Sequence, residues 1–152
     1  MEEKILEFTA LRVTMERDKL ANDEKSIQKI LGTLEQCGIS YDCITIHVDQ
    51  LVFVIRESDY PRLGQCMLLL EESLGKIDIS IDRDVILLCI EGKQLTWRGI
   101  SMIVNCLTMQ NVDVKMQRYF KSRDRFIIGI ALEEAEKAKQ VISEIIDANF
   151  QI

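Results

Sequence analysis

The sequence repeats its own hydrophobic spacing, and that repeat constrains the fold more than any single motif. Ile27, Ile30, Leu31 and Leu34 stand at i, i+3, i+4 and i+7, the apolar stripe of a helix with one buried face. Ile100, Ile103, Val104 and Leu107 reproduce that stripe 73 residues later. A second stripe, Leu63, Cys66, Met67 and Leu70, returns 75 residues later as Ala138, Val141, Ile142 and Ile145. Between them Leu51, Phe53 and Ile55 map onto Phe126, Ile128 and Ile130, also 75 apart. The change of two in the offset places a longer loop between the second and third strands of the second repeat.

Each repeat reads strand, helix, strand, strand, helix. In the first, strands are expected at 11–16, 41–48 and 50–56, with helices at 23–37 and 59–74. Gly38 follows the first helix and suits a position of positive φ. A fourth strand follows at 76–81, where Ile77, Ile79 and Ile81 alternate with Asp78 and Ser80, one face buried and one wet. The second repeat opens with the apolar run Val85 to Ile90. A helix over 97–110, strands over 112–120 and 125–132, and a helix over 133–147 follow. The order βαββαβ is the ferredoxin-like split βαβ, an α+β class with antiparallel sheets and helices on one face. The second copy of the fourth strand would start at the chain end, so that repeat lacks its closing strand. An open sheet edge beside a core is a liability. Residues 4–9, with Ile5, Leu6 and Phe8 apolar, are strand-like and lie outside the first repeat. They either supply the missing strand or lengthen the first one. The expected organisation is an N-terminal strand at 1–10, a first repeat at 11–83 and a second at 84–152.

Composition excludes several function classes. With 25 acidic and 19 basic residues the net charge is -6, which disfavours a nucleic-acid or membrane-surface binder working by bulk charge. No segment approaches the ~18 consecutive apolar residues of a membrane span. The start Met1-Glu2-Glu3-Lys4 lacks the basic region of a signal peptide. The five cysteines, 37, 43, 66, 89 and 106, contain no C-x-x-C pair and mostly fall within apolar patterns. Reduced, packed thiols and a cytoplasmic location are the corresponding expectation.

The residues offer no recognisable active site. The single histidine, His47, falls in an expected middle strand and reads as structural or surface. No His/Cys/Asp cluster has metal-ligand spacing, so neither a metal nor a cofactor is expected. Hydrolase, dinucleotide and phosphate-loop signatures are missing; Glu91-Gly92-Lys93 lacks the upstream glycine of a phosphate cradle. Asp78, Asp82 and Asp84 read as the solvated face and exit of a strand. An RNA-binding version of this fold carries an aromatic-basic string on its third strand. The strands Leu51-Val-Phe-Val-Ile-Arg56 and Phe126-Ile-Ile-Gly-Ile-Ala131 lack it. One basic stretch, Lys115, Arg118, Lys121, Arg123 and Arg125 around Tyr119 and Phe120, is either a stacking groove or a solvated hairpin.

Two βαββαβ units in tandem, each with a loop into its first helix, resemble paired ACT domains. The closer resemblance is to the C-terminal regulatory half of aspartate kinases. It is carried by Leu88-Cys-Ile-Glu-Gly92, Lys93-Gln-Leu-Thr-Trp-Arg-Gly99 and Asn111-Val-Asp-Val114 in the second repeat. In the first repeat Leu11-Arg-Val-Thr-Met15 and Gly38-Ile-Ser-Tyr-Asp42 carry it. The resemblance covers essentially the whole chain and implies an amino-acid-binding regulatory module. The expected effector is lysine, threonine or methionine, and the expected assembly a homodimer. A partner aspartate kinase catalytic domain is also implied; without one, this chain is not expected to phosphorylate aspartate.

By position, the resemblance places ligand contacts at Asn22, Asp23 and Lys25, where a loop enters the first helix, and at Asp113 and Val114 on a strand of the other repeat. Asp113 would hold a ligand ammonium and Lys25 its carboxylate, beside unsatisfied N–H groups of a helix N-terminus. In the second repeat Gly99 keeps the family's glycine, Arg98 replaces its usual proline, and Trp97 would lid a ligand or staple the helix entry. Each residue also has an ordinary structural role open to it: Asn22 or Asp23 as an N-cap, Thr96 as the second N-cap, Lys25 and Asp113 as surface charges. The loop Glu16–Glu24 has neither Gly nor Pro, and Ile46 stands where the family often has Gln. A tandem ACT protein that only dimerises or binds other proteins is the alternative.

Overall fold

The computed structural model describes residues 4–92 and 95–149. Six strands and four helices follow one another as β1 (Lys4–Glu16), α1 (Glu24–Gln36), β2 (Tyr41–Ile46), β3 (Gln50–Arg56), α2 (Tyr60–Leu74), β4 (Asp78–Glu91), α3 (Trp97–Met109), β5 (Val114–Phe120), β6 (Arg125–Ile130) and α4 (Ala135–Asn149). The fold is α+β with antiparallel strands, as the repeat implies. Short 3-10 turns at 20–22, 57–59, 121–123 and 132–134 precede α1, α2, β6 and α4. They leave no hydrophobic period in the sequence. Lys93, the second half of the Gly-Lys pair noted above, lies outside the described residues, as do Met1–Glu3 and the chain end at 150–152.

The chain forms two compact units, one of residues 10–83 and one joining 1–9 to 84–152. Both β1 and β4 give one half to each.

In the unit of residues 10–83 the strand order is β2-β3-β1-β4. β1 runs antiparallel to β3, from Ala10 opposite Arg56 to Glu16 opposite Gln50. Leu11, Val13 and Met15 alternate onto one face and are buried there with Leu51, Phe53 and Ile55. The stripes of α1 and α2 cover that face through Ile30, Leu34, Leu63, Cys66 and Leu70. Each such fully buried side chain contributes ~1.5–3 kcal/mol relative to exposure. Gly38 has φ 76, the left-handed conformation expected after a helix. β2 ends at Ile46, so His47 is not in a strand. It lies exposed in the β2–β3 turn, exchanging backbone hydrogen bonds with Gln50.

In the other unit the order is β1-β4-β6-β5. Ile86, Leu88 and Ile90 of β4 pack with Phe126, Ile128 and Ile130 of β6 beneath α3 and α4. Ile5 of β1 packs against this same core, and Lys139 of α4 pairs with Glu7 at 2.8 Å. Residues 4–9 therefore lengthen β1 and, through Ile5 and Glu7, contact the core and α4 of this unit. Among the described residues no helix is long and apolar enough to cross a membrane.

Candidate functional site

Asn22, Asp23 and Lys25 come together where β1 leads into α1. The loop here carries no glycine, and Lys19 takes the left-handed φ of 57. Side-chain and backbone bonds hold it: Lys19 N–H donates to Asp49 Oδ1 at 2.8 Å, and Arg17 and Ala21 N–H donate to Asp49 and Val48 carbonyls at 3.0 Å. Leu20 is fully buried beneath.

Asp23 is the N-cap of α1. Its Oδ1 accepts from Ser26 N–H at 3.1 Å and its Oδ2 from the Ser26 hydroxyl at 2.6 Å. Arg17 donates to Asp23 Oδ2 at 3.0 Å and to Ser26 Oγ at 2.7 Å, while its other nitrogen donates to the Leu74 carbonyl at 3.0 Å. The two Ser26 donations, hydroxyl first and amide second, hold the Asp23 carboxyl below its ordinary range against an opposing desolvation, and the charges of Arg17 and Lys25 lower it further. A carboxylate therefore already sits in the first turn of α1, and it belongs to the chain. Asn22 and Lys25 are exposed beside it.

Asp113, Val114, Trp97 and Gly99 belong to the other unit. Asn111 leaves α3 with φ 63, and exposed Asp113 precedes β5. Val114 lies opposite Ile130, and a bulge follows before Met116. A groove of about 570 Å³ runs between the end of α3, at Val104 and Thr108, and residues 111–117, which include Asp113 and Val114.

At the other end of α3, Thr96 Oγ1 accepts from Gly99 N–H at 3.0 Å, capping the helix as expected. Gly99 is buried in the first turn. Trp97 is 63% exposed, with its ring edge-on to Tyr119 at 4.7 Å between centroids. The Tyr119 hydroxyl donates to the Leu95 carbonyl at 3.1 Å, fixing the ring beneath the tryptophan. A second groove, about 430 Å³, lies over Trp97, Ile100, Asn105, Arg118 and Tyr119. Val104 and Gln117 line both grooves, so the two adjoin along the α3–β5 side of this unit.

Two of the polar residues lining these grooves, Asn105 and Gln117, carry no sequence signal of their own. Arg118 and Tyr119 were visible only as part of a basic stretch. In the structure that stretch is partly engaged internally: Arg118 stacks on Phe120 at 4.1 Å, Arg125 pairs with Glu91 at 3.1 Å, and Lys115 donates to the Asp84 carbonyl at 2.9 Å. Among the described residues no group of His, Cys, Asp and Glu is arranged to hold a metal.

No family model matches the sequence, and no curated protein matches it. Solved structures do match. The regulatory subunit of aspartate kinase from Thermus thermophilus, in its ligand-free form, aligns with a TM-score of 0.80 at 14% identity, over 93% of this chain and 95% of that one. The chain has the fold of an aspartate kinase regulatory subunit. Aspartate kinase of Clostridium acetobutylicum aligns at TM-score 0.76 and 22% identity, over 93% of this chain and 34% of its own. E. coli aspartokinase III, in complex with lysine and aspartate, aligns at TM-score 0.69 and 14% identity, over 95% and 33%. The chain thus spans about a third of the length of those two kinase chains and nearly all of the Thermus subunit. At these identities the likeness is one of fold.

Proposed function

We propose that this chain is a regulatory module that binds a small amino acid of the aspartate family, such as lysine or threonine, and acts on an aspartate kinase catalytic domain. The observation that carries the reading is the regulatory-subunit fold, shared over nearly the whole chain with the Thermus protein. A protein of the same fold, the E. coli enzyme, binds lysine and aspartate in its crystal. In this reading the module works as a homodimer in the cytoplasm. Effector binding shifts activity only if affinity differs between two arrangements of the protein, typically by 1–3 kcal/mol of coupling.

Two groups of residues are proposed to contact the effector. In the unit of 84–149 the Asp113 carboxylate holds the ammonium at the groove mouth, with the Val114 backbone beside it. Trp97 covers the adjoining groove, and Gly99 lets the helix backbone come close. In the unit of 10–83, as a separate candidate site, the ammonium of Lys25 and the amide of Asn22 serve a carboxylate, beside the Asp23 cap.

One observation favours a second reading. The Asp23 carboxylate fills the first turn of α1 that an effector carboxylate would use. A module that has lost its ligand and only binds other protein chains would look like this. Calorimetric titration with lysine, threonine and methionine separates the two. The regulatory reading expects one of them to bind at millimolar concentration or tighter, and Asp113→Ala to weaken binding by roughly tenfold, the worth of one charge-assisted hydrogen bond. No heat from any of the three, with a folded sample, sinks the regulatory reading in favour of the interaction module.

A further inference from the structure

β5 stands at the end of the strand order β1-β4-β6-β5, so β6 pairs with one of its edges and no strand among the described residues lies along the other. Such an edge presents a row of backbone N–H and C=O groups to solvent. Beside it run the two adjoining grooves between β5 and α3, which share Val104 and Gln117. They follow the strand from Val114 to Tyr119 and end at Trp97, whose exposed ring stands edge-on to Tyr119. An edge, a groove along it and an exposed aromatic at its end are the parts that strand addition uses. Main-chain bonds supply affinity, and every second side chain of the added strand enters the groove.

Charge selects what is added. The chain carries a net charge of -6, yet residues 97–123 hold five basic residues, Arg98, Lys115, Arg118, Lys121 and Arg123, and one acidic residue, Asp113. Arg98, Arg118, Lys121 and Arg123 are exposed. A second copy of β5 along this edge would set these charges against their own equivalents, which repulsion between neighbouring strands disfavours. A nucleic acid would meet the same basic residues, but it has no strand edge to pair and is repelled by the acidic remainder of the chain. We propose that β5 takes up an extended segment of a partner protein as an additional strand, with acidic residues alternating with apolar ones. The apolar side chains enter the groove over Ile100, Val104 and Trp97, and the acidic ones stay in solvent toward Arg98, Arg118 and Lys121. The bulge between Val114 and Met116 breaks the ladder, so pairing is expected along residues 116–120. This surface stands apart from effector binding, because it needs no amino acid at Asp113.

The test uses Trp97, the one tryptophan of the chain, as its reporter. The full chain, free of amino acids, is titrated with a seven-residue peptide, matched to β5, in which glutamates alternate with valines. Trp97 emission should shift to saturation, and added salt should weaken binding. In an extended strand the valine N–H groups lie on one edge and the glutamate N–H groups on the other. Methylating one set of nitrogens should therefore weaken binding roughly tenfold or more, and methylating the other set should not. Arg98→Glu with Lys121→Glu, both at exposed positions, should weaken the glutamate peptide roughly tenfold and let a lysine–valine peptide bind in its place. Amide exchange at 116–120 should slow when the glutamate peptide is present. The proposal is overturned if the emission does not shift, if the same residues with the glutamates in one block bind equally, if both methylated peptides bind alike, or if a uridine oligonucleotide binds more tightly than the peptide. A chain that is dimeric by light scattering, with 116–120 already protected and unchanged by peptide, overturns it in favour of a second copy.

Discussion

At the scale of the residue, Asp23 ties local structure to pH. The Ser26 hydroxyl and amide favour its carboxylate over its acid, and Arg17 adds to that preference. Folding therefore lowers its pKa, and near that range the native state binds fewer protons than the unfolded one. Stability from this group is complete above the unfolded value of about 3.9 and fades as pH falls through the lower folded value. Asp23→Asn should thus melt below the wild type at neutral pH, and the gap should close in strong acid. Thermal melts of both proteins from pH 7 downward check this; a gap unchanged across that range would mean that the charge is not involved. The cap itself was legible, because an Asp or Asn before an apolar helical stripe has few other local uses. Arg17 was not legible. Its reach from the end of β1 to Asp23, Ser26 and the Leu74 carbonyl depends on where α1 and α2 end in space.

At the scale of the element, the helices and most strands could be read because their apolar residues recur at 3.6 or 2 residues per turn or pleat. The joins could not. Asp78–Glu91 is one strand, although Asp82, Arg83 and Asp84 interrupt its apolar pattern and suggest a break between repeats. Arg12 pairs with Asp82 at 3.2 Å in one unit, and the Asp84 carboxylate accepts from Leu132 N–H at 3.0 Å in the other, so both aspartates at the join have a purpose the pattern cannot show. Residues 4–9 share this ambiguity. If they cover the edge of β4, a chain lacking residues 1–9 should show faster amide exchange along 84–91, while the β2–β3 hairpin keeps its protection. Equal protection of 84–91 with and without those residues would sink that role.

Gly129 is a second element-scale case. It lies between Leu87 on β4 and Met116 on β5, and a Cβ there would stand 2.6 Å from Met116 Cγ and 3.3 Å from Leu87 Cδ2. Gly129→Ala should cost ~1–3 kcal/mol by overpacking, and adding Met116→Ala should return part of it. Urea midpoints of the two single variants and the double variant give the coupling; additive losses would show that the two side chains do not compete for the same space.

At the scale of the whole molecule, two features of this sequence pull apart. Its spacing specifies the fold, because twin repeats each bury a separate core: Phe53 is fully buried in one and Phe126 nearly so in the other. Its candidate site is far less legible, because amino-acid recognition rests on a few side chains at a helix start and a strand edge, where the same residues serve as caps and surface charges. Binding energy can decide between these uses where pattern cannot. A ligand that binds only the folded chain stabilises it by RT ln(1 + [L]/Kd), about 2.7 kcal/mol at a hundredfold excess over Kd. For a chain of this length that corresponds to a rise of about 5–10 °C in Tm. The proposed effector should therefore raise Tm by that amount in the wild type. Asp113→Ala weakens the complex roughly tenfold in the reading above, so at the same concentration the ligand is in only about tenfold excess and its stabilisation falls to about half. Asp113 is exposed and lies outside both cores, so its loss should leave the ligand-free Tm almost unchanged. A scan of Tm against effector concentration for both proteins reads all three quantities at once. An equal rise in both would move the site away from Asp113, and no rise in either would leave the fold intact and the sensing role without a ligand.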